Sequence, residues 1–158
     1  MGIIIFFIVA ILDIALDQWT KLWLNSVLTE GQSILHFGFI HITLVHNTGA
    51  AFGIFHDCNL PLAIIEAIGA IVVLTLVIVM HRRHYNWGGR LGFAALGLVF
   101  AGAVGNLIDR IHLGYVVDFI DLTYWPVFNV ADSSVTIGLI ILAVLLIWVV
   151  KAKEKTNG

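Results

Sequence analysis

Four long apolar stretches restrict the fold of this chain more than any other feature of its sequence. They run approximately over residues 3–24, 60–80, 91–108 and 131–150. Each is close to the ~20 helical residues that cross a hydrocarbon core of about 30 Å. Because lipid offers no hydrogen-bonding partner to a backbone, such stretches must be helices. The sequence therefore predicts one all-α integral membrane domain over residues 1–158, a bundle of four transmembrane helices.

Composition agrees with lipid as the main solvent of the chain. Only 11% of the residues are charged and 60% are hydrophobic, whereas soluble domains carry about 25% charged residues. The sequence has no basic stripe suited to nucleic acid, so the expected partners are membrane lipids and not nucleic acid.

The distribution of basic residues predicts the orientation in the membrane. Six of the eight Lys and Arg residues lie either between the second and third predicted helices or after the fourth, which puts them on one side of the membrane. They are Arg82, Arg83, Arg90, Lys151, Lys153 and Lys155. Basic residues concentrate on the cytoplasmic side of membrane proteins. Both termini should then be cytoplasmic, and residues 25–59 and 110–130 should face outward.

The first outward segment has the pattern of a strand. Residues 36–47 alternate, with Ile40, Ile42 and Leu44 on one face. A period of two over such a run favours a strand over a helix. We therefore expect residues 25–59 to form a small outward-facing β element.

The third apolar stretch carries small residues at four-residue spacing, namely Gly97, Ala101 and Gly105. Small residues on one helix face allow a neighbouring helix to approach closely in lipid. Close helix packing and space for a ligand are compatible interpretations of this face.

Two aspartates, Asp118 and Asp132, bracket the last outward turn and are the strongest candidates for chemistry. Carboxyl groups at the edge of a membrane span are costly, and they often mark a reactive site or a pathway. If the turn folds back, the two groups can share a proton, and their pKa values then belong to the pair. Alternatively, Asn129 caps the fourth helix and Asp132 complements the helix dipole at its third position. Asp121 competes with Asp118, but in a strand it would point to the opposite face.

Asn106 and Arg110 lie four residues apart, so they share a face at the outer end of the third helix. An amide and a guanidinium there can hold a peptide backbone by hydrogen bonds. The alternative is that Arg110 anchors the helix at the lipid headgroups and pairs with Asp109.

Further polar residues lie within the predicted spans. Asp17 and Lys21 are spaced for an ion pair on one helix face, while the partners of Asp13 and Glu66 are left open by the sequence. The seven histidines include no pair with metal-ligand spacing, so no metal site is predicted.

Three classes of function remain open on the residues alone. The paired aspartates favour a membrane-embedded enzyme. A proton- or ion-coupled transporter would use Asp13, Asp17 and Glu66 as a relay, and a non-catalytic assembly factor would tolerate the loss of either outer aspartate.

Five motifs in order resemble the motif set of bacterial lipoprotein signal peptidase, also called signal peptidase II. They are Asp17 with Lys21, Asn47-Thr48-Gly49-Ala50-Ala51-Phe52, Gly105-Asn106-Leu107-Ile108-Asp109-Arg110, Val117-Asp118-Phe119 and Phe128-Asn129-Val130-Ala131-Asp132-Ser133. Each motif alone is weak, but the five together extend over nearly the whole chain.

The resemblance implies an aspartic endopeptidase of the bacterial inner membrane, with its active site near the outer face and no cofactor. Its substrate would be a lipid-modified prolipoprotein, cut just before the lipidated cysteine, and a monomer is expected. Asp118 and Asp132 would be the catalytic pair. The substrate site would be lined by Asn47, Asn106, Arg110 and Asn129, with Asp17 and Lys21 in support.

Overall fold

The fold consists of four helices and three strands, seen in a computed structural model that describes residues 1–49, 58–85 and 87–157. In chain order they are α1 (Gly2–Val27), β1 (Ser33–Phe37), β2 (Ile40–Asn47), α2 (Asn59–Arg82), α3 (Gly89–His112), β3 (Val116–Asp121) and α4 (Val130–Asn157). All four helices are long and apolar enough to cross a membrane. The predicted fold class, a four-helix membrane bundle with a small β element, is confirmed. Residues 50–57, including the last three of the motif at 47–52, lie outside the described residues.

The third helix is the centre of the bundle. Half of the most apolar window of α3 is buried, compared with less than a fifth of the corresponding window in each other helix. Around it, a core cluster is formed by Phe6, Val77, Met80, Phe93 and Leu96. The apolar side chains on the outer faces of α1, α2 and α4 are exposed at the surface of the bundle.

Glycines on α3 allow its two neighbours to approach closely. A Cβ at Gly97 would lie 2.9 Å from the carbonyl oxygen of Phe6 on α1. One at Gly102 would overlap the carbonyl oxygen of Ala131 on α4. These contacts agree with the close-packing interpretation of the small-residue face.

The β element is an antiparallel sheet in the order β1-β2-β3. The prediction of one strand over residues 36–47 is wrong, because a turn at Gly38, with φ of +62°, divides the run into β1 and β2. Leu44 is buried, with Leu24, Leu28, Val117 and Phe119. Ile40, by contrast, is exposed beside this turn.

The chain folds back after β3, as the candidate catalytic pair requires. The N–H of Ile120 donates to the carbonyl oxygen of Phe128 at 2.7 Å, and the N–H of Phe128 donates in return at 3.0 Å. This pairing brings the first turn of α4 alongside β3.

Candidate active site

Asp132 lies in the first turn of α4 and exchanges hydrogen bonds with Asn129. The Asp132 N–H donates to Asn129 Oδ1 at 2.9 Å, and the Asn129 N–H donates to Asp132 Oδ2 at 3.2 Å. This reciprocal pair is a capping box, in which two otherwise unpaired backbone donors are satisfied. The cap predicted at Asn129 is therefore present. It does not exclude chemistry, because Asp132 Oδ1 accepts a separate hydrogen bond from Asn106 Nδ2 at 2.8 Å.

Asp118 lies in β3, and only 1% of its surface is exposed. Its two carboxyl oxygens accept hydrogen bonds from Asn129 Nδ2 at 2.7 Å and from Asn47 Nδ2 at 2.8 Å. Asn129 therefore makes hydrogen bonds to both aspartates. Its side-chain amide donates to Asp118, and the capping hydrogen bonds join it to Asp132.

The pKa of Asp118 is raised from the usual 3.8 to about 7. Burial is the main cause, since a charged carboxylate is poorly solvated there, and the negative charge of Asp132 adds to it. The hydrogen bonds from Asn47 and Asn129 lower the pKa in part. Near neutral pH, Asp118 is thus able to hold a proton that an ordinary aspartate would have released.

Asp121, the competing candidate, is placed elsewhere. Its carboxylate accepts hydrogen bonds from the Thr123 N–H at 2.8 Å and from the Thr43 hydroxyl at 2.9 Å. These bonds lower its pKa, the one from Thr123 most. Asp121 is absent from the described lining of the cavity that contains Asp118 and Asp132.

That cavity has a volume of about 550 Å³ and lies between α2, α3, α4 and the sheet. Five of the residues predicted for the site line it: Asn47, Asn106, Arg110, Asp118 and Asp132. We call it the candidate cavity. Its remaining described lining is largely apolar, as a site in a membrane bundle requires.

Asn106 connects the two carboxyl groups to the interior of the bundle. Its Oδ1 accepts from Lys21 Nζ at 3.0 Å and from Asn129 Nδ2 at 3.1 Å. Because two donors hold the oxygen, the amide nitrogen must point the other way, toward Asp132.

Asp17 and Lys21 lie behind the cavity and form the predicted ion pair at 2.8 Å. Lys21 also pairs with Asp109 at 3.0 Å. Asp17 Oδ1 accepts the backbone N–H of Ala131 at 2.9 Å, so it fixes the start of α4 next to Asp132. All three charged side chains are nearly fully buried.

Arg110 pairs with Glu66, which answers the question that the sequence left open for this glutamate. The guanidinium donates to Glu66 Oε1 at 3.0 Å, to the Gly49 carbonyl at 3.0 Å and to Asn59 Oδ1 at 3.3 Å. The alternative of pairing between Arg110 and Asp109 is wrong. Asp109 turns instead toward Lys21, and it accepts the N–H of Val117 at 3.1 Å.

Sequence reasoning missed two residues of this network, Gln18 and Asn59, and it assigned Asp109 and Glu66 no place in the site. Gln18 donates to Asp17 at 3.2 Å and to Asp109 at 3.0 Å. The spacing of Asp109 from Asn106, three residues along α3, was a signal that could have placed both on one face.

Asp13 lies deeper in α1 and accepts a hydrogen bond from the Ser134 hydroxyl at 2.9 Å. Its other oxygen has no partner among the described residues. Within the same described ranges, no cluster of three His, Cys, Asp or Glu side chains is arranged to hold a metal ion.

Four apolar helices, closed at one end by a sheet and holding two carboxyl groups in one cavity, are an arrangement suited to a membrane-embedded enzyme. A family model described as signal peptidase (SPase) II matches residues 9–148. The chain belongs to this family of proteases.

Individual relatives agree with the family match. A protein of Dehalococcoides mccartyi named lipoprotein signal peptidase is 42% identical over 142 residues, covering 90% of this chain and 88% of its own length. An Enterococcus faecalis protein of the same name is 35% identical and covers 99% of this chain and 96% of its own length. A solved structure described as a bacterial membrane enzyme superposes with a TM-score of 0.80 at 33% identity, covering 96% of this chain and 90% of its own.

Proposed function

We propose that this protein is an aspartic endopeptidase that cuts the signal peptide from diacylglyceryl-modified prolipoproteins, just before the lipidated cysteine. The family and the names of the relatives support the substrate class. One observation supports the proposal that the protease is of the aspartic type: Asp118 and Asp132 line the same cavity and are connected through Asn106 and Asn129.

In the proposed reaction, ionised Asp132 takes a proton from a water molecule, and the water oxygen attacks the scissile carbonyl carbon. Protonated Asp118 donates its proton to the carbonyl oxygen as the tetrahedral intermediate forms. When this intermediate collapses, the C–N bond breaks and the departing amine takes the proton held by Asp132. The remaining hydroxyl proton returns to Asp118, so both carboxyl groups end in their starting states.

The surroundings of the two carboxyl groups support this division of roles. Asp132 occupies the third position of α4, where the helix dipole stabilises negative charge. Two N–H donors, from Asn106 and the Asn129 backbone, hold its two carboxyl oxygens in place. Asp118 has the raised pKa that a general acid needs near neutral pH.

We assign Asn47, Asn106, Arg110 and Asn129 to the substrate site, with Asp17 and Lys21 in support. The three asparagines also orient the carboxyl groups, since each donates an amide hydrogen bond to one of them. Arg110 borders the cavity through a guanidinium held by three acceptors.

We also propose that the active site faces outward, with both termini in the cytoplasm. The basic residues that predict the cytoplasmic side lie at the C-terminal ends of α2 and α4 and at the start of α3. The carboxyl groups lie at the opposite ends, after α3 and at the start of α4. A signal peptide whose apolar segment lies in the bilayer would present its cleavage site at that boundary.

The test is cleavage of a lipidated precursor peptide by the purified protein and by Asp118→Asn and Asp132→Asn variants in detergent. Asparagine preserves the size of each side chain but cannot exchange the required proton. We expect each variant to lose roughly 10²–10⁴-fold in rate, the contribution of a general acid or base. Asp121→Asn is the matched control and should cleave normally. Cleavage at the wild-type rate by either dyad variant would overturn the assignment.

A further inference from the structure

Glu66 on α2 is a charged residue of the candidate cavity that the proposed reaction does not use. Its Oε1 accepts the Nε–H of Arg110 at 3.0 Å, in an ion pair whose two side chains are only 17% and 6% exposed. Its Oε2 is buried and has no hydrogen-bond partner among the described residues. In the described part of the chain, Glu66 therefore has one direct partner, the guanidinium of Arg110.

Arg110 is the one cation in the described lining of the candidate cavity. The lining also contains three carboxyl groups, from Glu66, Asp118 and Asp132. With Asp118 protonated, as the proposed reaction requires, one positive charge faces two negative charges. The other two described acceptors around the guanidinium are a side-chain amide oxygen and a backbone carbonyl, which are neutral. The single cation of this lining is thus already paired, and Glu66 is the anion that pairs with it.

The ion pair lies inward from the outer end of α2. Glu66 is seven residues beyond the helix start at Asn59, about 10 Å along the axis at ~1.5 Å per residue. A signal peptide whose apolar segment lies in the bilayer would place the residues before its cleavage site at this depth. The charges of the pair therefore act on the signal-peptide side of the scissile bond.

An acidic side chain of a bound peptide meets an unfavourable site for two reasons. Without a cation of its own, it adds a third negative charge to a largely apolar cavity. If it instead displaces Glu66 from Arg110, the Glu66 carboxylate stays buried without its partner, and an uncompensated buried charge is strongly destabilising. A neutral side chain meets neither penalty. Specificity is often obtained in this way, by leaving the wrong ligand with an unpaired charge.

We propose that Glu66 is a specificity-determining residue, which excludes acidic side chains from the bound signal peptide by occupying Arg110. The inference rests on the proposed function and adds to it a selection against negative charge near the cleavage site. Glu66 acts through Arg110, so it is a positioning residue. Removing its charge frees the guanidinium to bind a carboxylate of the substrate.

The test compares precursor peptides with the same lipidated cysteine and one changed residue, either glutamine or glutamate, at each of the three positions before this cysteine. The two residues have the same size and differ in charge at neutral pH. For the wild type, we expect a lower kcat/KM for the glutamate peptide at one position at least. In Glu66→Gln, which keeps an oxygen for Arg110, this preference should fall by roughly ten-fold, the effect of one unit charge about 10 Å away at an effective dielectric constant of about 20.

Further variants separate the charge of Glu66 from other effects. Glu66→Met is a second neutral variant and should show the same fall, whereas Glu66→Asp keeps the charge and should keep the wild-type preference. Glu30→Gln makes the matched change on a side chain that is 62% exposed, pairs with His46 and is absent from the described lining of the candidate cavity. It should behave as the wild type. Adding Arg110→Gln to Glu66→Gln should abolish the gain for the glutamate peptide, because the guanidinium is gone.

Equal rates for the two peptides in the wild type at all three positions would overturn the proposal, and this comparison needs no variant. A preference that persists in Glu66→Gln, a loss of it in Glu66→Asp, or a gain that survives Arg110→Gln would each overturn it too. So would failure of both neutral variants to fold, because Glu66 would then be a structural residue. The proposed function fails differently: the wild type then cleaves no peptide of the set, or Asp132→Asn cleaves the glutamine peptides at the wild-type rate.

Discussion

Asn129 and Asp132 exchange hydrogen bonds across the first turn of α4, at 2.9 and 3.2 Å, and the same asparagine donates its amide to Asp118 at 2.7 Å. One side chain therefore caps a membrane helix with its oxygen and bonds the second carboxyl group with its nitrogen. Because the helix cap and the carboxyl pair share this residue, the position of Asp132 relative to Asp118 is fixed by the fold of the helix start.

The two roles of Asn129 can be separated by substitution. Serine is as good a helix cap as asparagine, whereas alanine lacks a cap and costs about 1 kcal/mol of stability. Neither replacement can donate the amide hydrogen bond to Asp118. We expect Asn129→Ser and Asn129→Ala to lose cleavage activity to a similar extent, and Asn129→Ala to unfold at a lower temperature than Asn129→Ser. Thermal unfolding and peptide cleavage in the same detergent measure both effects. Full activity in Asn129→Ser would show that the amide donor is dispensable.

The features predicted correctly from the sequence are local ones. Each membrane helix follows from the length of its apolar run, and the cap at Asn129 follows from residue types three positions apart. Contacts between distant parts of the chain gave no such signal. Lys21 with Asp109 and Arg110 with Glu66 are examples. The sequence does not predict the strand β3, because its first four residues, Val116 to Phe119, show no regular alternation of apolar and polar types, and in the structure all four are buried. A strand buried on both faces does not alternate between apolar and polar residues, except where Asp118 interrupts the run.

The activity should decrease as the pH rises through about 7. In the proposed mechanism Asp118 must be protonated, and its pKa is raised to about 7 by burial and by the charge of Asp132. Asn47→Ala removes a hydrogen bond that lowers this pKa, so the decrease should move to higher pH. Profiles of kcat/KM between pH 5 and pH 9 measure the pH at which each of the two proteins loses activity. If the wild type and Asn47→Ala lose activity at the same pH, Asp118 is not the group that titrates.

Asp118 should also make the fold less stable as the pH rises. Between its unfolded pKa near 3.8 and its folded pKa of about 7, the folded protein retains a proton that the unfolded chain has released. Raising the pH through this range therefore lowers the free energy of unfolding, and the effect levels off above about 7. Other groups titrate too, so the measurement is the difference in unfolding temperature between the wild type and Asp118→Asn at pH 5 and pH 8. The unfolding temperature of Asp118→Asn relative to that of the wild type should be higher at pH 8 than at pH 5. The same difference at both pH values would contradict the raised pKa.

Lys21 should be one of the most sensitive positions for stability. Lys21→Met leaves the carboxylates of Asp17 and Asp109 buried without their cation. Removing one partner of a buried ion pair costs about 3–5 kcal/mol, since an uncompensated charge remains. Neutralising both acids in the same protein, with Asp17→Asn and Asp109→Asn, should recover much of the loss. Thermal unfolding of the single and triple variants tests this. A single variant as stable as the wild type would show that the buried cation is not needed.

Gly105 should tolerate no side chain, because its helix face is occupied by the polar network. A Cβ there would lie 2.6 Å from Asp17 Oδ2 and 3.2 Å from the Cβ of Ala131. Gly105→Ala must therefore displace Asp17, which holds the start of α4 through the Ala131 N–H, and should reduce both stability and cleavage.

Gly69→Ala on α2 is the matched stability control, since no described atom lies within 4 Å of its added Cβ. In a helix interior, alanine is favoured over glycine by roughly 0.5–1 kcal/mol, so this variant should be slightly more stable than the wild type. Equal unfolding temperatures for the two variants would contradict the close contact between α3 and Asp17.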